Sequence, residues 1–168
     1  MSVDEKNLYD LLYSLGAAIL AWQSVENNLF LIFNFLVGPH RNPNVLSAAY
    51  HSVVNLNTRV EMIDAAAAVM LAETPHLDEW QKLSKRLKKN VGRRNALVHL
   101  GLVSYIYAKG KPPRLTIKPG IFDITQTPDL EYNLKQIQEW HIAFDELSRD
   151  LATWLTLCRG GIEPPGRR

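Results

Sequence analysis

Three residues near the middle of the chain, Arg94, Asn95 and His99, have side chains suited to chemistry on a phosphate group. The guanidinium of an arginine stays charged, and its planar fork matches phosphate oxygens. The imidazole of a histidine titrates near neutral pH and can give or take a proton. The pattern Arg94-Asn95-x-x-x-His99 therefore combines an anion-binding group with a proton-transfer group on one predicted helix.

The spacing of this pattern raises a geometric problem. Arg94 and His99 are five residues apart, which corresponds to about 140° around a helix. In one chain their side chains therefore point to different sides of the helix. A two-fold dimer removes the problem, because Arg94 of one subunit can then approach His99 of the other. The spacing predicts a symmetric homodimer with a composite site and an interface that includes this helix.

Two further charged residues, Glu26 and Arg59, lie on predicted apolar stripes. Glu26 follows Trp22 by one turn of the first predicted helix, and Arg59 lies on the apolar face of the second. A charge that points toward a core needs a partner of opposite charge. Two interpretations remain open. Glu26 forms an ion pair with Arg59 or Arg94 that fixes helix register, or Glu26 orients Arg94 within a polar pocket.

The charge of the chain is unevenly distributed. Between Trp80 and Phe122 there are eleven Lys and Arg residues and no acidic residue, whereas the remainder carries a net charge of −9. Such a block is typical of a surface that binds a large anion, most often a nucleic acid. The alternative is a solvated helix face followed by a Lys-rich loop. The candidate RNA-binding residues are Lys82, Lys85, Arg86, Lys88, Lys89 and Arg93.

Most enzyme classes are excluded by the motifs that the chain lacks. It has no glycine-rich phosphate loop, no HExxH pattern, and no serine or cysteine in a known nucleophile context. Cys158 is the only cysteine, so the chain has neither a disulfide framework nor a thiolate zinc site. No cofactor and no metal are predicted.

Hydrophobic residues at three- and four-residue steps predict a mostly helical chain. The periodicity indicates a first helix that carries Leu8–Phe33, a second that carries Leu46–Met70, and a third with Trp80 and Val98 on one stripe. A final helix is expected to begin near Thr127-Pro128-Asp129.

Between the third and final helices the pattern changes to short β-rich runs. Residues 103–107 and 115–117 flank the turn-rich segment 109–113, which predicts a small hairpin at about 102–118. The sequence therefore predicts an all-α fold, an antiparallel up-down bundle of four to five helices with a β-hairpin inserted before the last helix. Residues 1–160 are expected to form one domain, and 161–168 a flexible tail.

The motif resembles the signature of a known family. Arg94-Asn95-x-x-x-His99, late in the third helix of a small all-α chain, is similar to the Arg-x(4–6)-His signature of HEPN domains. A polar residue, often Asn, directly follows the arginine of that signature, and Asn95 does so here. The helix of the signature leads into a small or Gly-containing segment, and Leu100-Gly101 is similar. Trp22-x-x-x-Glu26 resembles a segment of several bacterial members. The resemblance covers about 4–101 and 128–158.

The resemblance implies a function and a set of roles. HEPN proteins usually dimerise, and many are metal-independent endoribonucleases of toxin–antitoxin, CRISPR-associated and other defence systems. By position, Arg94 would hold the scissile phosphate, Asn95 would support its geometry, and His99 would transfer a proton. The implied partners are RNA, a second copy, and an antitoxin or nucleotidyltransferase. The tyrosine that such transferases modify in some members is missing after His99.

Two functions from different classes follow from the sequence. One is a dimeric metal-independent ribonuclease, and the alternative is a non-catalytic helical module that binds a protein or RNA partner. A DNA-binding regulator is disfavoured because no helix-turn-helix pattern is visible. No apolar run reaches the roughly 18 residues needed to span a bilayer, and no basic signal-peptide start is present. We expect a cytoplasmic protein that does not bind membranes.

Overall fold

The architecture consists of five helices and a small sheet in the part of the chain that the structure describes. The computed structural model describes residues 3–38, 42–106, 114–119 and 131–161. In chain order its elements are α1 (Val3–Val37), α2 (Pro43–Ser52), α3 (Leu56–Met70), α4 (Pro75–Val98), β1 (Leu100–Ile106), β2 (Arg114–Pro119), β3 (Tyr132–Asn133) and α5 (Leu134–Gly161). The predicted all-α bundle with a β-hairpin before its last helix is confirmed.

The second predicted helix is two helices, α2 and α3, separated by an extended break at residues 53–55. Asn55 causes the break, because its backbone is extended and its side chain caps α3. Its Oδ1 accepts hydrogen bonds from the backbone N–H groups of Asn57 (2.8 Å) and Thr58 (3.4 Å). These bonds satisfy donors that a helix start leaves unpaired. The prediction of one continuous helix was therefore wrong.

The last helix, α5, begins at Leu134 rather than near Thr127. Asn133 and Gln136 form a reciprocal cap at this point. The backbone N–H of Asn133 donates to Oε1 of Gln136 (2.9 Å), and the backbone N–H of Gln136 donates to Oδ1 of Asn133 (3.0 Å). This pairing is a capping box, which fixes the first turn of a helix. Residues 127–130 lie outside the described part of the chain.

The sheet joins the end of α4 to the start of α5. Strands β1 and β2 pair antiparallel, with Val103 opposite Ile117, as the hairpin prediction requires. The short strand β3 adds antiparallel to β2, with Tyr132 opposite Ile117. This third strand was not predicted, because two residues are too few to show a period of two. The predicted turn at 109–113 lies outside the described residues. Of the predicted tail at 161–168, Gly161 is the last residue of α5, and residues 162–168 lie outside the described residues.

Side-chain contacts fix the relative directions of the helices. Helices α4 and α5 are antiparallel neighbours. The ring of Trp80 lies 5.2 Å from that of Trp154, and further along α4 the side chain of Arg86 contacts Asp150, which precedes Trp154 on α5. Helices α1 and α5 are parallel neighbours. The ring of Trp22 lies 4.8 Å from that of Phe144, and further along both helices Asn28 donates to the carbonyl and hydroxyl of Ser148. These directions agree with an up-down chain path.

One residue predicted on the buried stripe of α4 is not buried. Val98 is 52% exposed, whereas the adjacent Leu97 is 4% exposed. Val98 lies one turn after Arg94 on the same side of the helix, and the side chain of Arg94 is also accessible. The last turn of α4 therefore buries a different side of the helix from the preceding turns. The side that carries Arg94 and Val98 remains accessible to solvent there.

Helix α1 is the longest element, with 35 residues, and it packs along α5. Leu11, Ala18 and Leu29 lie fully buried on one of its faces, while Tyr13 and Leu20 are exposed on the opposite face. Among the described residues, no helix is both long and apolar enough to cross a lipid bilayer.

The buried face of α5 is expected to carry a large share of the stability. Leu151 is fully buried, and Leu157 on the same helix is 55% exposed. We expect Leu151→Ala to lower the free energy of unfolding by about 2–5 kcal/mol, because it removes buried methyl groups and leaves a cavity. Leu157→Ala, the matched control, should change it by about 0.5 kcal/mol or less. Urea denaturation of both variants measures the difference, and equal effects would contradict the assigned burial.

Candidate functional site

The carboxylate of Glu26 lies where α1, α3 and α4 meet. The indole Nε1–H of Trp22 donates to Oε1 of Glu26 at 2.7 Å. Nη2 of Arg94 lies 3.5 Å from the same oxygen, and Nη1 of Arg59 lies 3.8 Å from Oε2. Both ion pairs considered from the sequence are therefore present together, and they connect three helices through one carboxylate.

Arg59 is held tightly by its surroundings. Its Nε–H donates to the carbonyl of Val53 at 2.6 Å, and its guanidinium carbon lies 5.2 Å from the centroid of the Tyr50 ring. Its side chain is 13% exposed. A guanidinium with a carbonyl, a carboxylate and an aromatic ring around it has little freedom to bind a further group. Arg59 therefore joins the α2–α3 connection to Glu26 and fixes one wall of the site.

Arg94 is held more loosely than Arg59. Its Nη1–H donates to Oδ1 of the adjacent Asn95 at 3.2 Å, and its side chain is 32% exposed. The 3.5 Å separation from Glu26 is long for a charge-assisted hydrogen bond. Its Nε is buried and has no hydrogen-bond partner among the described residues. The donors of Arg94 that a ligand could reach are therefore those of its terminal Nη groups, of which Nη1 donates only to Asn95.

A cleft of about 310 Å³ opens between these helices. Its lining carries two guanidinium groups, one carboxylate and three carboxamides. The lining residues are Glu26, Val54, Asn55, Leu56, Asn57, Arg59, Val91, Arg94 and Asn95. If the carboxylate is ionised, the cleft has one net positive charge, which favours an anionic ligand.

His99 lies outside this cleft. It is exposed and caps the end of α4, where its backbone N–H donates to the carbonyls of Ala96 and Leu97. Its imidazole has no partner among the described residues. The structure therefore brings Glu26, Arg59, Arg94 and Asn95 together but leaves His99 apart from them within one chain.

The six candidate RNA-binding residues of α4 divide into two groups. Three of them are engaged: Arg86 contacts Asp150 of α5, Lys88 donates to Asp64 of α3 at 2.8 Å, and Arg93 donates to Asn90 at 3.0 Å. Acidic residues from neighbouring helices therefore approach the edges of this basic face, while the side chains of Arg86 and Lys88 each remain nearly half exposed.

The second group is a stripe of free lysines. Lys82, Lys85 and Lys89 are exposed, and no carboxylate of the described residues lies within 4 Å of their ammonium groups. They recur at three- and four-residue steps, so they occupy one side of α4. This side of the helix keeps three uncompensated positive charges.

Two parts of the site were not foreseen from the sequence. One is the connection Val54-Asn55-Leu56-Asn57, whose two asparagines could have indicated a helix start. The other is Tyr50, which packs beneath Arg59 and has a buried hydroxyl for which the described residues supply no partner. Burial raises the pKa of Tyr50 to about 12, although the charge of Arg59 opposes the increase. Within the described residues, no cluster of His, Cys, Asp or Glu could hold a metal ion.

Tyr50 makes stability depend on pH in the alkaline range. Below the ordinary tyrosine pKa of 10, the phenol is protonated in both the folded and unfolded states. Above it, the unfolded chain loses the proton while the folded chain holds it up to about pH 12, so stability falls as the pH rises through this range. We expect Tyr50→Phe to remove this component of the fall.

At pH 7, Tyr50→Phe should change the free energy of unfolding by about 1 kcal/mol or less, because no hydrogen bond of the hydroxyl is lost. The control is Tyr13→Phe, since Tyr13 is 67% exposed. Urea denaturation at pH 7 and between pH 10 and 12 measures both variants against the parent chain. A loss of several kcal/mol at pH 7 would show that the hydroxyl has a partner.

Comparisons of the chain with family models, with curated proteins and with solved structures found no match. Its function must therefore be inferred from its own side chains, above all those of the cleft and of α4.

Proposed function

We propose that the protein is a HEPN-like, metal-independent endoribonuclease that acts as a homodimer. In this proposal, Arg94 and Asn95 of one subunit and His99 of the other form the catalytic site. The observation that carries the proposal is the accessibility of two side chains, that of Arg94 on α4 and that of His99 directly after this helix. The side chain of Arg94 is 32% exposed and has donors without an acceptor in the described part of the chain, where the exposed imidazole of His99 also has no partner.

The proposed reaction uses the 2′-hydroxyl of the RNA as the nucleophile. This oxygen attacks the adjacent phosphorus, the 5′-oxygen of the next nucleotide leaves, and a cyclic 2′,3′-phosphate remains. The protein must move protons and stabilise the charge on the phosphoryl oxygens. His99 suits one of the proton transfers, the guanidinium of Arg94 suits the phosphoryl oxygens, and the 3.2 Å bond to Asn95 orients that guanidinium.

A second copy is required because Arg94 and His99 lie about 140° apart on α4. Val98 supports an interface at the end of this helix, since it is 52% exposed on the side it shares with Arg94. A two-fold contact there would cover Val98 and bring each Arg94 toward the His99 of the partner subunit. Such a protein would act as a toxin or defence component, with an antitoxin or nucleotidyltransferase as the partner class.

The alternative proposal is a non-catalytic helical module that binds a protein or RNA partner. It is favoured by one observation, the pairing of Arg94 with Glu26. A carboxylate shared among Trp22, Arg59 and Arg94 would hold three helices together whether or not the protein cleaves RNA. In this case the motif has a structural role, and His99 has no chemical task.

An RNA cleavage assay in EDTA separates the two proposals. We expect His99→Ala to lower the cleavage rate at least about 100-fold, as the loss of a general acid or base does, with nearly unchanged RNA affinity. Arg94→Ala should lose both activity and some affinity, because the guanidinium contacts the phosphate before and during reaction. The products of the parent enzyme should carry a cyclic phosphate or its hydrolysis product.

Two controls make the assay decisive. His51→Ala removes an exposed histidine of α2 and should leave cleavage unchanged. Thermal melts should show that Arg94→Ala costs about 1 kcal/mol or less, because its ion pair is accessible to solvent and Glu26 keeps its other partners. A His99→Ala protein that cleaves RNA at the parental rate would overturn the ribonuclease proposal.

The free lysine stripe of α4 is expected to bind the RNA backbone. Reversal of Lys82, Lys85 and Lys89 to Glu should weaken RNA binding, and the slope of log affinity against log salt should fall by about 0.7 for each lost contact. The control reverses exposed basic residues of other helices, namely Lys6, Lys135 and Arg149. Fluorescence anisotropy measures both triple variants. Equal weakening by the two would show that net charge, and not this stripe, attracts RNA.

A further inference from the structure

One part of the cleft lining has the chemistry of a base-recognition surface. It consists of Asn55, in the α2–α3 connection, and Asn57, in the first turn of α3. Oδ1 of Asn55 is used to cap α3, so its Nδ2 remains available as a donor. Asn57 is exposed, and its side-chain amide has no partner among the described residues. A carboxamide offers a donor and an acceptor side by side, which matches the edge of a nucleobase.

The charge of the cleft selects the type of anion. Arg59 and Arg94 contribute two positive charges, and Glu26 contributes one negative charge. The net charge of +1 equals in magnitude the single negative charge of a phosphodiester, whereas a terminal phosphate carries nearly two. Since Arg59 is held by Val53 and Tyr50, Arg94 is the group that can turn to a phosphodiester oxygen.

The size and shape of the cleft limit the ligand further. A volume of about 310 Å³ is at the lower end of the range for small-molecule sites, which suits one nucleotide rather than a folded RNA element. The major groove of an RNA duplex is too deep and narrow for side chains to read, so a base that presents its edge to Asn55 and Asn57 is expected in single-stranded RNA.

We propose that this cleft is a nucleotide subsite for single-stranded RNA. It binds the phosphodiester at Arg94 and Asn95 and the edge of the attached base at Asn55 and Asn57. The inference rests on the proposed function for its substrate class, and it adds a place for the nucleotide next to the scissile bond. It also gives the α2–α3 connection a role in sequence preference.

Binding can be tested without cleavage by a 2′-O-methyl tetranucleotide, which lacks the nucleophilic 2′-hydroxyl. The indole N–H of Trp22 reports on the cleft, because it donates to Glu26 beside Arg94. The indole N–H of Trp154 is an internal control, since it donates to the carbonyl of His76 near the opposite end of α4. In ¹⁵N–¹H correlation spectra we expect the oligonucleotide to shift the Trp22 indole signal and to leave that of Trp154 in place.

A charge substitution in this part of the cleft lining completes the test. Asn57→Asp places a carboxylate in the cleft, and it should weaken tetranucleotide binding at least tenfold. Folding should be preserved, because acidic residues are favourable in the first turn of a helix. Asn44→Asp is the matched control: it makes the same change in the first turn of α2, outside the cleft lining, and should leave the affinity within about twofold.

The outcomes also separate this inference from the proposed function. If the tetranucleotide does not bind, if it binds without shifting Trp22, or if both aspartate variants bind alike, the subsite is refuted even where RNA is cleaved. If the tetranucleotide shifts Trp22 and Asn57→Asp weakens it while native RNA stays intact, the subsite stands and the ribonuclease proposal fails.

Discussion

The carboxylate of Glu26 is the charge on which the arrangement of α1, α3 and α4 depends. A carboxylate on the inward side of a helix is costly unless hydrogen bonds and opposite charges replace its water. Here Trp22 supplies the hydrogen bond from its own helix, and Arg59 and Arg94 supply the charges from two others. Because the three partners come from three elements, their positions along the bundle are fixed relative to one another.

The same carboxylate holds its two arginines to different degrees, and this difference gives the cleft its chemistry. Arg59 is fixed by Val53 and Tyr50 and forms part of the framework. Arg94 has, beside its 3.5 Å contact with Glu26, only a neutral contact with Asn95, and its buried Nε has no partner among the described residues. The accessible donors of Arg94 are therefore on its terminal Nη groups, and these can turn to an acceptor in the cleft.

Helix α4 has three distinct sides. Its inner side packs Trp80 and Leu87 into the core, and its edges exchange ion pairs with α3 and α5 through Lys88 and Arg86. Its outer side keeps the free lysine stripe. The positive charge that remains for a partner is therefore smaller than the composition implies, and it is concentrated on a side of the helix that differs from the side of Arg94.

The sequence by itself determined the helical periodicity, the hairpin before the last helix, and the need of Glu26, Arg59 and Arg94 for opposite charges. These features depend on local spacing, since a charge on an apolar stripe signals a partner wherever that partner lies. The break at Asn55 and the start of α5 at Leu134 were predicted wrongly, although both depend on local caps. The apolar period continues across the first break, so the period alone does not indicate it.

Only the tertiary structure decided which residues meet. The contacts of Arg59 with Tyr50, of Arg86 with Asp150 and of Lys88 with Asp64 join different helices, and the helical period of each segment does not predict them. The exposure of Val98 and the cleft beside Arg94 likewise depend on where neighbouring helices end. A sequence pattern shows which side of a helix is apolar, but the packing of the other elements decides which part of that side is covered.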